Sequence, residues 1–196
     1  MKKYLFAVLC IFFLSSSCED EMSRTIFIAD ENDPSLPAYT EWGYNSFGAI
    51  YDRNYFVVTN GTTPCKITYQ NGILNFYLIG RIYQGTYKEM VLSFSFPSPP
   101  MNDYTDLVKL NKTTIDLSGD FCTAKIEIAG IEDIITPLSG NLTFKRTQLL
   151  KIDGEENRVL LSGVFELRFI RKGRPETISD GRFDIGINND FYFFPE

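Results

Sequence analysis

Cys122-Thr123-Ala124-Lys125-Ile126-Glu127-Ile128 decides the fold class. Cys122, Ala124, Ile126 and Ile128 alternate with Thr123, Lys125 and Glu127. Successive side chains of a strand point to opposite faces, so strict alternation over this length marks a half-buried β-strand. The same period recurs on both sides of it. Met90, Leu92, Phe94 and Phe96 alternate with Val91, Ser93 and Ser95. Phe165, Leu167 and Phe169 alternate with Glu166 and Arg168, and Phe183, Ile185 and Ile187 with Arg182, Asp184 and Gly186. No segment sustains a 3.6-residue period. One helical turn is expected, around Tyr104 to Leu110.

Turn signals join these runs. Asn71-Gly72 lies between two strand-like segments, and both residues accept the positive φ of a tight hairpin turn. Asp153-Gly154 marks a second hairpin, within a longer loop between Leu142–Ile152 and Arg158–Ile170. Gly163 inside a strand marks a bulge or a close backbone approach, and Asp180-Gly181 marks a tight turn. Some eight to ten antiparallel strands follow. We expect an all-β antiparallel β-sandwich, with a lipocalin-like β-barrel as the alternative. A barrel would matter to function, because its mouth can hold a ligand.

Composition narrows the chemistry. Of 196 residues, 44% are hydrophobic, enough for a core, and 17 Phe with 11 Tyr suit strands. The formal net charge of −6 argues against binding nucleic acid through a basic face. The chain has no histidine. That removes Ser-His-Asp and Cys-His catalysis and histidine-ligated zinc. No phosphate-cradling glycine loop, nucleophile elbow, C-x-x-C or EF-hand spacing occurs, so no cofactor or metal is expected. A carboxylate pair is the remaining catalytic route, and no pair stands out.

The N-terminus reads as an address. Lys2 and Lys3 precede an eleven-residue apolar run, Tyr4 to Leu14. That is about half the ~20 residues a membrane-spanning helix needs, and it is the pattern of an export signal. Ser15, Ser16, Ser17 and Cys18 follow, and the run resembles a bacterial lipobox with Ser15 in the usual leucine place. The resemblance implies a signal peptide over 1–17, lipidation of Cys18 and anchoring in the membrane through its acyl chains. Cys18-Glu19-Asp20-Glu21 resembles the surface-export signal of Bacteroidota lipoproteins. Loss of Lys2 and Lys3 takes the charge to about −8. Residues 18–45 are expected to be an acidic tether with a reach of about 30 Å, in which Ile26, Phe27 and Ile28 add a short strand. Residues 46–196 form the β domain.

Cys65 and Cys122 remain for the folded domain. Either they form a disulfide, worth about 4 kcal/mol on the chain-entropy model, or they are two buried free thiols. Spacing leaves both open. Asp180, Arg182 and Asp184 share one strand face, expected to be a surface ion-pair ladder with Arg168 across from it. Arg182 is also a candidate polar anchor for a ligand. Trp42, Tyr44, Tyr83 and Tyr87 fall near strand ends or turns and are candidate ligand contacts, since exposed aromatic faces stack on sugars or meet proteins.

Three segments carry a family resemblance: Asn45-Ser46-Phe47-Gly48-Ala49, Ser162-Gly163-Val164-Phe165-Glu166-Leu167 and Ile178-Ser179-Asp180-Gly181-Arg182-Phe183-Asp184. Their order resembles a family of uncharacterised Bacteroidota lipoproteins with a domain of unknown function, over roughly residues 45–187. The resemblance implies an all-β fold and an outer-membrane, surface-exposed location, and brings no activity. The expected function is a non-catalytic, lipid-anchored envelope protein that binds an unknown protein or glycan partner. An accessory glycan-binding role in polysaccharide uptake is the alternative, and a carboxylate-dependent hydrolase is a third reading.

Overall fold

A computed structural model describes residues 24–59, 64–152, 155–188 and 193–195. The export signal, Cys18, the acidic cluster at 19–21 and the Asp153-Gly154 turn lie outside the described residues.

Eleven strands follow in chain order. They are β1 (Ser46–Tyr51), β2 (Asn54–Val57), β3 (Cys65–Gln70), β4 (Ile73–Tyr83), β5 (Tyr87–Pro97), β6 (Thr113–Asp116), β7 (Thr123–Ile128), β8 (Ile131–Ile152), β9 (Glu155–Arg171), β10 (Arg174–Ile187) and β11 (Phe193–Pro195). The sheet runs β4-β2-β1-β10-β9-β8-β7-β5, and β5 pairs again with β4. Eight antiparallel strands therefore close on themselves. The expectation of a sandwich is corrected to its alternative, a barrel. The deciding long-range contact is β1 against β10, from Ser46 opposite Asp184 to Tyr51 opposite Ile178. A closed sheet leaves no open edge within the ring. Outside the ring, β3 flanks β4, β11 lies parallel to β3, and β6 flanks β8.

The strands follow from local chemistry. Between β3 and β4, Asn71 and Gly72 take φ of 52° and 82°, the paired left-handed conformations of a tight hairpin. The long strands β8, β9 and β10 curl around the barrel at bulges. One separates Phe144 from Arg146 and another Ile178 from Gly181. The second holds Asp180 at φ 54°. Asp180-Gly181 is thus a mid-strand bulge and not the expected tight turn. β8 and β9 pair out to Ile152 opposite Glu155, so the second hairpin has no long loop. Tyr104–Leu110 is one short 3-10 helix, capped where Asp103 Oδ1 accepts from Thr105 N at 2.8 Å. It buries Leu107 and Leu110 in the core.

The lumen is filled by side chains. Every alternating apolar position named from the sequence faces inward and is buried. Aromatic rings touch in a chain: Phe96 to Phe144, Phe144 to Phe76 and Phe183, Phe76 to Phe183, and Phe183 to Phe165 and on to Phe94, with centroids 5.1–6.5 Å apart. Eight strands give an interior only just wide enough for side chains. Gly163 makes room in this stack, since a Cβ there would lie 2.5 Å from the Phe183 ring.

Residues 24–45, expected to be a tether, are instead a strap folded onto the barrel. Leu36 and Pro37 are buried, and Pro37 lies over Gly48 so closely that a Cβ on Gly48 would sit 2.4 Å from its Cδ. Ile26, Phe27 and Ile28 are half exposed and belong to no strand; Ile26 N donates to Tyr44 O at 2.8 Å. The local sequence looks loose because the strap contributes few apolar side chains and is held by polar groups on β10.

Candidate functional site

Asp184 is the centre of that attachment. Its carboxylate is 1% exposed and accepts from Thr40 Oγ1 (2.6 Å), Trp42 N (3.0 Å), Gly43 N (2.7 Å), Tyr44 N (3.3 Å) and Ser162 Oγ (2.9 Å). A buried carboxylate is tolerated only when hydrogen bonds replace its water, and here three successive strap amides do so. Two residues earlier on the same face, Arg182 Nη1 donates to Asp30 Oδ2 at 2.7 Å. The Asn32 and Asp33 amides, and then Arg182, hold the Asp30 carboxyl below its ordinary range. The expected ladder with Arg168 is therefore corrected: Arg182 pairs with Asp30 of the strap, and four of the five donors to Asp184 are strap groups. Arg182 is committed to this attachment and is not a free ligand anchor.

The three segments behind the family resemblance meet here. Ser46, Phe47 and Gly48 pair with Asp184, Phe183 and Arg182, and Ser162 and Gly163 pair with Asp184 and Phe183. Asn45 Oδ1 accepts from Gly186 N at 3.0 Å. Their chemistry is architectural, joining lumen, wall and strap.

The outer wall of β8–β10 carries a run of clefts, two of them edged by the strap. The first, about 610 Å³, lies beside Trp42 and is walled by Tyr39, Glu41, Arg146, Gln148 and Arg158. The second, about 470 Å³, shares Tyr39 and adds Lys145, Glu166, Asp180 and Arg182. The third, about 370 Å³, shares Asn141 and Glu166 with the second and continues to Arg168 and Thr177. Shared walls place the three end to end.

Charges in the first cleft are partly spent. Arg146 Nη1 donates to Glu41 Oε2 at 2.9 Å and Arg146 Nε to Gln148 Oε1 at 3.0 Å. The Arg146 bond, and then that from Tyr39 (2.9 Å), hold the Glu41 carboxyl below its ordinary range. Burial, and then the bond to Glu41, raise the Tyr39 phenol well above its own. Lys145 Nζ sits 5.3 Å from the Tyr39 ring centroid, a cation–π contact. Arg158 differs: its Nε is buried and has no acceptor.

The aromatic candidates separate. Trp42 is 67% exposed on the first cleft, and Tyr44 is half-buried in the strap. Tyr83 and Tyr87 form an edge-to-face pair 5.2 Å apart where β4 turns into β5, away from the clefts' walls. Cys65 and Cys122 are free buried thiols. Burial, and then the Asp116 carboxylate, push the Cys122 thiol up to about 11, and burial raises that of Cys65 further still. Neither is poised as a nucleophile at neutral pH.

Sequence reasoning missed Tyr39, Arg146, Gln148 and Arg158. The one available signal was Arg146, Gln148 and Leu150 spaced by two on the outward face of β8. Among the described residues no group of three or more Cys, Asp or Glu could hold a metal, and no helix is long and apolar enough to cross a membrane. Comparisons with family models, curated proteins and solved structures gave no match.

Proposed function

We propose that this chain is a lipid-anchored envelope protein of the outer membrane, exposed at the cell surface, whose barrel binds a ligand or partner on its outer wall and performs no chemistry itself. One observation carries the reading. The lumen is packed with rings, whereas the wall carries three adjoining clefts, two of them edged by the strap. Ligand sites are concave with a few placed polar groups, and the wall supplies that combination among the described residues. Anchoring rests on the lipobox-like run ending at Cys18.

The glycan-binding reading is favoured by Trp42, a large exposed ring beside a cleft. A protein partner is favoured by Ile131, Ile134 and Leu138, three exposed apolar side chains on β8. The hydrolase reading keeps one candidate pair, Glu166 and Asp180, on the second cleft.

A single preparation tests the proposal. The parent chain is expected in the membrane fraction and Cys18→Ser in the soluble fraction. Sedimentation of Cys18→Ser with membranes, as the parent does, removes the anchor. The same parent should turn over no glycoside or ester in a broad panel. Hydrolysis that disappears in Glu166→Gln or Asp180→Asn would replace the binding reading with the hydrolase one.

A further inference from the structure

We propose that the cleft beside Trp42 is a binding site for an acidic sugar, whose carboxylate is held by Arg158 and whose ring lies against Trp42. The inference rests on the outer-wall reading and names its ligand class.

Three features of the cleft point to this chemistry. The first is charge. Of the described side chains that wall it, Arg146 and Arg158 are cationic and Glu41 is anionic. One positive charge is left over in a chain whose formal net charge is −6. Glu41 is already engaged by Arg146 at 2.9 Å, so the surplus belongs to Arg158.

The second is an unmet donor. Arg158 Nε is buried without an acceptor. Gly186 leaves room for the side chain, since a Cβ there would lie 3.1 Å from Arg158 Nη1. A guanidinium presents two parallel N–H bonds along one edge, which match the two oxygens of a carboxylate. Turning that flexible side chain toward the cleft gives Nε its acceptor and the ligand its anchor.

The third is the aromatic wall. Trp42 is 67% exposed, although Trp42 N donates to Asp184 and fixes the backbone beneath it. The ring is thus held outward on a rigid mount. Its face suits the C–H face of a sugar, and Gln148 and Tyr39 supply polar groups for hydroxyls. A volume of about 610 Å³ admits a sugar unit, and the adjoining cleft past Tyr39 gives a chain somewhere to continue. A neutral sugar would leave Arg158 unanswered, and a simple anion would leave Trp42 unused.

Trp42 is the only tryptophan, so its fluorescence reports on this cleft alone. The full chain in detergent is titrated with trigalacturonate and with galactotriose, its neutral counterpart. A saturable change with trigalacturonate is expected, with galactotriose at least tenfold weaker and the difference shrinking as salt rises. Arg158→Gln should abolish the preference. Arg158→Lys, which keeps the charge and spares the fold, should weaken trigalacturonate about tenfold, because an ammonium lacks the paired donors. Equal response to the two sugars, or a preference that survives Arg158→Gln, overturns the proposal. Amide-shift mapping on the same samples separates the two levels. Shifts on β8–β10 around Asp180 overturn only this site. Shifts confined to Tyr83 and Tyr87 overturn the outer-wall reading with it. No shifts at millimolar sugar overturn the acidic-sugar site.

Discussion

From Phe183 to Ile187 both faces of β10 are buried, by opposite means. Inward, Phe183, Ile185 and Ile187 join the ring stack of the lumen. Outward, Asp184 and Gly186 lie under the strap, Asp184 held by hydroxyls and backbone amides and Gly186 by the Asn45 side-chain carbonyl. The inner face is stabilised by removing apolar area from water and tolerates no void. The outer face is stabilised by satisfying one buried charge, and it fails if a single acceptor is lost. A difference in function follows. The described lumen side chains pack against one another, while the strap's attachment adds concave surface to the wall.

The comparison can be broken first at the lumen. Phe183→Ala removes a ring that touches Phe76, Phe144 and Phe165. It should cost about 3–5 kcal/mol in denaturant titration of the whole chain. A loss below ~1 kcal/mol would mean that the ring stack does not hold the barrel together.

The outer face should respond less, and locally. Asp184→Asn keeps the shape but turns an amide N–H₂ toward at least one backbone N–H, whichever oxygen it replaces. A cost of about 2–3 kcal/mol is expected. Hydrogen exchange should show the amides of Trp42, Gly43 and Tyr44 losing protection while β4, β5 and β7 keep theirs. Equal loss in all of them would make strap and barrel one cooperative unit and remove the distinction drawn above.

Asp30 sharpens it with the smallest effect. Its carboxyl is held below the ordinary value of 3.8 in the folded chain, through the Asn32 and Asp33 amides and Arg182. A depressed folded value contributes stability that is fully present above 3.8 and lost as pH falls through the folded value. Strap protection should therefore hold at neutral pH and fade only in acid below that point. Asp30→Asn should flatten this acid response and leave the lumen's response unchanged. An unaltered acid profile in Asp30→Asn would assign it to another group, and Glu41, held low in the same strap by Arg146 and Tyr39, is one such group.

Much of the barrel was legible in the residues. Alternation located the lumen side of β5, β7, β9 and β10 because a half-buried strand repeats every two residues. Asn71-Gly72 named its turn because few residues take two successive positive φ values. Gly163 announced a close approach, and the Phe183 ring is what it approaches. The Asp184 site was not legible. Its alternation reads as a solvated face, since nothing local shows that a segment some 140 residues earlier will cover it. Arg158 was hidden for the same reason: its isolation depends on Arg146 having taken Glu41.

By itself, then, the sequence determined the all-β class, the inward set of side chains and the one helical turn, all of which follow from backbone geometry within a few residues. Only the tertiary structure decided that the sheet closes, that residues 24–45 are a strap, and that the clefts face outward from the wall. Those depend on β1 pairing with β10 to complete the ring and on Asp184 meeting the strap, contacts whose free energy exists only once distant segments have been brought together.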